Sequence, residues 1–321
     1  MQRTKAIAAS GAEAWVAGEV LIDRIPDARG GRQSIVGGGS ANTAKALARL
    51  GIKTCFIDGI STDEHGRAAR AELQAAGVDL AHAPTSDKPT ALAEVALDAD
   101  GKASYVFSLA GTATFDFADS WLPRGAPTVL HVGTLATIVE PGCGVLHRWA
   151  SNLSAHVVYD PNVRPSVLGD RAAYRAAVAR WVTISDVVKF SADDLQWLYP
   201  ESRGLPDMID LARATLAHGP SLVAITRGES GIVGVTRDRV IEVPAVATTV
   251  IDTVGAGDTA GAILVEGIID HGLAGLCGER LRDVLERAAQ AAAITCSRAG
   301  AQPPWAGELR GLEAPAVRDA R

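Results

Sequence analysis

Two glycines and a carboxylate fall within four residues at Gly255-Ala256-Gly257-Asp258, ahead of an apolar stretch, Ala260 to Ile269, with helical spacing. That places the four residues in a helix's first turn, where the opening N–H groups lack intrahelical partners. Aligned peptide dipoles add roughly +0.5 charge there, and glycine lets a phosphate approach the backbone. Asp258 has two readings. A first-turn carboxylate can be a cap, contributing about 1 kcal/mol. Alternatively, Asp258 is a general base that takes a proton from a hydroxyl while Gly255, Ala256 and Gly257 hold developing phosphoryl charge.

A second glycine-rich segment runs from Gly37 to Gly51. It reads as a turn of three glycines, a Ser40 cap, a short amphipathic helix and a Gly51 stop. Three consecutive glycines carry a large entropic cost, and beside them stands Asn42, whose amide both donates to and accepts from hydroxyls. A polyol ligand fits that pairing.

Other phosphate chemistries leave different traces. No segment meets GxxxxGK followed by Ser or Thr, Ala260 stands where a GxGxxG pattern needs its last glycine, and HRDLxxxN is absent. The phosphate acceptor is therefore expected to be a small molecule. A net charge of −6 with no basic stripe argues against nucleic acid, and no apolar run reaches the length of a membrane span. Met1 to Ala12 reads as a loose start and not as a signal peptide, so a cytoplasmic protein is expected. Cys55, Cys143, Cys277 and Cys296 are widely spaced and read as reduced, buried small hydrophobes. The seven histidines form no HxxxH pair, so a zinc site is not expected.

These residues need a scaffold, and 321 residues with 47% hydrophobic content can bury a sizeable core. Strands are expected at Ala14 to Val20, Thr54 to Asp58, Thr128 to Val132, Val157 to Asp160, Val187 to Lys189 and Leu222 to Thr226. Helix-like runs, Glu64 to Ala76, Ala172 to Trp181 and Met208 to His218, separate several of them. Such alternation predicts an α/β fold with a mostly parallel sheet covered on both faces. Ala91 to Leu97 and Ala103 to Ser108 flank Asp98 to Lys102, which reads as a hairpin turn outside the main sheet. From the Pro303-Pro304 pair onward a less regular segment is expected.

The chain resembles the ribokinase-like (PfkB-type) carbohydrate kinases, with similarity to fructokinase-type members. Besides the two glycine-rich segments, the resemblance rests on Gly18 to Asp23, Asp160-Pro161-Asn162-Val163-Arg164-Pro165, Asp186 to Lys189 and Thr226-Arg227-Gly228 through Gly231, in family order. It implies one ribokinase-like kinase domain over 1–321, with a small β lid inserted at about 21–36 and 91–109. The implied activity is ATP-dependent phosphorylation of a sugar hydroxyl, with fructose as the leading acceptor. Ribose, 2-keto-3-deoxygluconate or a nucleoside are alternative acceptors, and a non-catalytic sugar-binding regulator is an alternative of another class.

The resemblance also distributes roles. Asp258 is the implied base beside the anion hole of Gly255, Ala256 and Gly257. Asp23, Gly38, Gly39 and Asn42 are implied to hold sugar hydroxyls, with Asn162 and Arg164 near sugar or phosphate. Lys189, Ser191, Thr226, Gly228 and Gly231 are implied on the nucleotide side, and the small side chains of Ala289 and Ala293 leave space for adenine, although close helix packing explains them equally well. A lone buried Lys189 ammonium also demands a phosphate or carboxylate nearby. Mg²⁺ is implied, but Ser191-Ala192-Asp193-Asp194 stands where many members carry Asn-x-x-Glu, so Asp194 has a shorter reach and Asp193 could share its task. Asp252 matches a potassium-site position, with Ser297 to Gly300 as the other wall. The lid allows a homodimer.

Overall fold

A computed structural model of the chain describes residues 13–26, 31–97 and 103–310. The hairpin turn expected at Asp98 to Lys102 and the start expected to be loose at Met1 to Ala12 lie outside them. The first half supplies strands β1 (Ala14–Ala17), β2 (Leu21–Pro26), β3 (Arg32–Gly37), β4 (Thr54–Ile57), β5 (Ile60–Ser61), β6 (Thr85–Ser86), β7 (Leu92–Leu97) and β8 (Ala103–Ser108). The second half supplies β9 (Val129–Gly133), β10 (His156–Asp160), β11 (Val187–Ser191), β12 (Leu222–Thr226), β13 (Ile232–Thr236) and β14 (Val240–Val243). Helices α1 (Gly39–Arg49), α2 (Glu64–Ala75), α3 (Gly142–Ser151), α4 (Arg171–Val182) and α5 (Ala192–Leu198) are interspersed, followed by α6 (Leu205–Leu216), α7 (Ala256–His271), α8 (Gly278–Cys296) and α9 (Ala306–Arg310).

Among the described residues the main sheet orders its strands β14-β13-β12-β11-β10-β9-β1-β4. From β12 to β4 all pairings are parallel, while β13 and β14 add an antiparallel edge. That edge hairpin was not anticipated from sequence; its signal is the pair of β-branched runs around Arg237-Asp238-Arg239.

Alternation along each strand divides the core in two. Ala14 and Val16 face a core shared with α1, α2, α7, α8 and α9, whereas Trp15 and Ala17 face one shared with α3 to α6. The first core is alanine-rich and, Phe56 aside, aliphatic, with Ala41, Ala44, Ala260, Ala262, Ala288 and Ala291 on its helices. The second holds the bulky rings of Tyr159, Tyr174 and Trp181, all fully buried. Small side chains let α1 and α7 sit close to each other and to the sheet.

Ligands of open parallel sheets bind at strand C-terminal ends where the connections diverge. Here β1 leads outward to β4, while β9 leads the opposite way through β10, β11 and β12, so the crevice opens between β1 and β9. Over that end lies a second sheet, ordered β3-β2-β7-β8, with β2 parallel to β7 and both hairpin pairs antiparallel. This small second sheet is the β lid of the expected fold.

Several local expectations need correction. The first strand stops at Ala17 because Gly18 takes φ +148°, a conformation open to glycine. Ser40 is not the cap of α1: Gly38 holds that position at φ +106°, and Ser40 Oγ is buried beneath Gly18 without a partner among the described residues. After Pro303-Pro304 the chain forms α9, which buries Leu309. Cys55 and Cys143 are buried, but Cys277 is exposed and Cys296 only half-buried.

Candidate active site

Asp258 is the third residue of α7 and only 7% exposed. It does not cap its helix. Gly255, in the left-handed region at φ +80°, occupies the cap position, and among the described residues no side chain caps α7. The carboxylate points instead at α1, where Asn42 Nδ2 donates to Asp258 Oδ2 at 2.9 Å. Asn42 is itself buried, and Thr43 Oγ1 donates to the Asp258 carbonyl at 3.4 Å. Thus α1 and α7 meet at a hydrogen-bonded pair of the two residues singled out from the glycine-rich segments.

Gly39 marks the space in front of that pair. A Cβ on it would stand 2.6 Å from Thr134 Oγ1, 3.1 Å from Asn162 Nδ2 and 3.3 Å from Asp258 Oδ1. Asn162 Nδ2 donates to Thr134 Oγ1 at 3.2 Å. Both residues have left-handed backbones, Asn162 at φ +39° and Thr134 at φ +52°. For a β-branched residue such as Thr134 that is a strained state, of order 1–3 kcal/mol, of the sort found at binding sites. Asp23 on β2 closes the lid side, against Gly37, where a Cβ would fall 2.1 Å from Asp23 Oδ2.

Arg164 is half-buried, with its guanidinium donating to the Asn162 and Val163 carbonyls at 3.1 Å. Its charge reaches Asp23 and Asp258. Burial pushes Asp23 up to about 6, with Arg164 opposing. Asp258 also rises to about 6, by burial first and then by nearby Asp160, while Lys189, the Asn42 hydrogen bond and Arg164 pull it down. A carboxylate near 6 is ionised at neutral pH and still basic enough to accept a proton.

Beneath the first turn of α7 lies Lys189, 3% exposed, its ammonium 2.8 Å from Asp160 Oδ2. This is the carboxylate that its burial demanded. Burial is the largest influence and lowers its pKa, but Asp160, Asp194 and Asp258 together raise it further, so Lys189 stays charged. A Cβ on Gly257 would come within 3.1 Å of that ammonium, so glycine brings the charge up against the backbone of the turn.

The other residues expected on the nucleotide side lie on separate elements. Ser191 and Thr226 end β11 and β12 and are register partners. Gly228 and Gly231, at φ +53° and +87°, bound the short turn that follows, and Ala289 and Ala293 lie on α8. Asp194 and Ser191 form a capping box at the start of α5. The two Asp194 oxygens accept N–H groups of Val163 and Ser191, each at 2.7 Å, and burial followed by Asp160 raises its pKa. Asp252 accepts from Val254 N and, at 2.9 Å, from Gly300 N, which joins it to the segment expected as its other wall.

Residues 12–306 match the pfkB family carbohydrate kinase pattern. The chain belongs to the pfkB family of carbohydrate kinases. Among curated relatives of this pfkB kinase, a fructokinase from Rhizobium leguminosarum bv. trifolii is 39% identical over 254 residues, 75% of each chain. One from Salmonella typhimurium is 30% identical over 267 residues, 82% of this chain and 86% of that one. A fructokinase double mutant from Vibrio cholerae O395, solved with fructose, ADP and potassium bound, superposes with TM-score 0.82 at 26% identity, covering 94% and 97% of the two chains. The family is that of ATP-dependent sugar phosphotransferases, and the ribokinase-like fold expected for them is the one described above.

Sequence reasoning assigned no role to Glu19, Thr134 or Asp160. Glu19 and Asp160 stood inside quoted motifs, but nothing in their residue types said what they would touch. The left-handed turn at Thr134 had no local signal.

Proposed function

We propose that this pfkB kinase is a fructokinase, with Asp258 as general base. The observation that carries the reading is the Asn42–Asp258 hydrogen bond beside the open first turn of α7, with Gly39, Asn162 and Thr134 around it. It supports a site that joins a hydroxyl-binding amide, a carboxylate poised near 6 and the N–H groups that open α7. The fructokinase relatives at up to 39% identity support fructose as the acceptor.

In this reading Asp23, Gly38, Gly39, Asn42, Asn162 and Arg164 hold and orient the sugar. Asp258 accepts the proton of the attacking hydroxyl, which contributes on the order of 10²–10⁴-fold. The amides of Gly255, Ala256 and Gly257 hold the developing phosphoryl charge, Ala256 giving up its 3.3 Å bond to the Thr253 carbonyl, and positioning supplies much of the remainder. Lys189 adds positive charge from below the turn. Ser191, Thr226, Gly228, Gly231, Ala289 and Ala293 border the ATP. The acidic residues present suit a divalent ion held largely by phosphate: with each oxygen already accepting an N–H, Asp194 can take a metal-bound water on a remaining lone pair. When bound, Mg²⁺ neutralises charge on the phosphate oxygens. Asp252 and the Gly300 loop form the potassium wall.

We also read the chain as one kinase unit over 1–321, working in the cytoplasm. Among the described residues no helix is long and apolar enough to cross a membrane. Tyr105 and Val106 expose apolar surface on the lid, which suits a dimer formed there and testable by sedimentation.

The decisive assay is ADP release with Mg-ATP across fructose, ribose, 2-keto-3-deoxygluconate, glucose and adenosine, with Asp258→Asn as control. Turnover with fructose, lost in the variant, is expected. Preference for another acceptor would replace fructose but keep the base, and silence across the panel would return the non-catalytic reading.

A further inference from the structure

Glu19 follows β1 and is fully buried, yet neither the proton transfer nor the acceptor contacts use it. Its two oxygens serve different segments. Oε1 accepts the N–H of Gly39 at 3.0 Å, and Oε2 accepts the N–H of Ala136 at 3.3 Å. Its backbone carbonyl accepts a third N–H, from Ala41 at 3.2 Å. Gly39 and Ala41 belong to the first turn of α1, whose cap residue Gly38 has no side chain to satisfy them. Glu19 therefore does from outside the helix what an Asp or Ser cap does from its end.

Ala136 belongs to a second element, the short 3₁₀ turn Thr134–Thr137, whose first residue takes the Asn162 amide. One carboxylate thus ties the start of the helix that carries Asn42 to the turn that orients Asn162. Backbone geometry is cut to fit. At Gly38 a Cβ would lie 2.6 Å from the Glu19 carbonyl oxygen, and at Gly18 it would lie 2.0 Å from Ser40 Oγ. Retaining an ionisable group here is costly: burial drives Glu19 up to about 7 despite the opposing backbone N–H groups.

We infer that Glu19 is a positioning residue, holding the two walls of the acceptor pocket at a fixed separation so that Asn42 and Asn162 converge on Asp258. The inference rests on the acceptor site proposed above. Glu19→Gln keeps the side chain's shape but turns an NH₂ toward one of the two N–H donors, so one wall loses its acceptor. The expected result is an acceptor KM raised at least about tenfold, the scale of one buried N–H left without its acceptor, with the KM for Mg-ATP within about twofold of wild type. Combined with Asn42→Ala, the acceptor effect should be less than additive, because Glu19 works partly through Asn42.

An unchanged acceptor KM, full additivity, or a parallel rise in both KM values overturns the inference. If Glu19→Gln does not fold, Glu19→Asp, whose carboxylate is drawn back by one methylene, carries the same criteria. Amide exchange gives a readout independent of turnover. The substitution should speed exchange at Gly39 and Ala136 at least about tenfold while leaving α8 unchanged, and unaltered exchange at both sites counts against the clamp. A wild-type protein silent on every sugar would defeat the functional reading alone, and the exchange result would still decide the role of Glu19.

Discussion

Lys189 Nζ and Asp160 Oδ2 stand 2.8 Å apart in the core, each side chain less than 5% exposed, directly under the turn that begins α7. They come from adjacent parallel strands and act on Asp258 with opposite signs: Asp160 raises its pKa and Lys189 lowers it. The other Asp160 oxygen and both ring nitrogens of His131 have no hydrogen-bond partner among the described residues. Burial, followed by the charge of Lys189, pushes that histidine down to about 3, so it remains neutral.

Removing one partner of such a pair leaves an uncompensated charge. Asp160→Asn should cost about 3–5 kcal/mol in urea unfolding. Whatever folds should show the acid limb of kcat/KM displaced to lower pH, since the group that raises Asp258 is gone and Lys189 remains. An acid limb moving upward would contradict this account of the site's electrostatics.

Asp258→Asn should lower kcat by about 10²–10⁴-fold. Its stability should move the other way. A carboxyl raised from 3.8 to about 6 contributes stability that is fully present below pH 3.8 and lost as pH rises through 6. At pH 8 the wild type therefore bears the full cost of a buried charge, at most about 3 kcal/mol, and the amide does not. Denaturant midpoints at pH 5 and pH 8 should show the variant gaining on wild type as pH increases.

Asn42→Ala should do two things at once. It removes a hydroxyl partner, so the acceptor KM should rise about tenfold or more with little change for ATP. It also removes a hydrogen bond that holds Asp258 down, so the acid limb should shift upward. Acceptor-saturation curves over a pH series separate the two effects.

Gly39→Ala should be tolerated by the fold but not by the reaction. The backbone there is ordinary helix, whereas the new methyl would crowd Thr134 Oγ1, Asn162 Nδ2 and Asp258 Oδ1. Turnover should fall by at least about 100-fold while calorimetric ATP affinity is kept. Lost ATP binding would mean that the methyl had disturbed the nucleotide side instead.

Much of this was readable beforehand, for identifiable reasons. Parallel strands such as Leu222 to Thr226 are apolar at nearly every position, and Gly255 to Asp258 sits where a helix must begin. The burial of Lys189 announced a counter-charge, but many acids could have supplied it, and only the β10–β11 register selects Asp160. Ser40 was misread because the usual cap preference is local, whereas the close approach of Gly18 is not. Glu19 was silent because its partners, Gly39 and Ala136, are 20 and 117 residues away. Local chemistry is written in neighbouring letters, while clamps between distant segments depend on topology.

The unequal cores on the two sides of the sheet carry an evolutionary consequence. On the side of α1 and α7 many of the contacts are made by alanines packed among Leu47, Ile263 and Leu264, and those alanines have little to lose by truncation and no room for enlargement. On the side of α3 to α6, Tyr159, Tyr174 and Trp181 fill large volumes, where truncation opens cavities costing about 3–5 kcal/mol for an aromatic residue. Mutational drift is therefore filtered differently on each side: growth in side-chain size threatens catalysis on one, and shrinkage threatens persistence of the fold on the other.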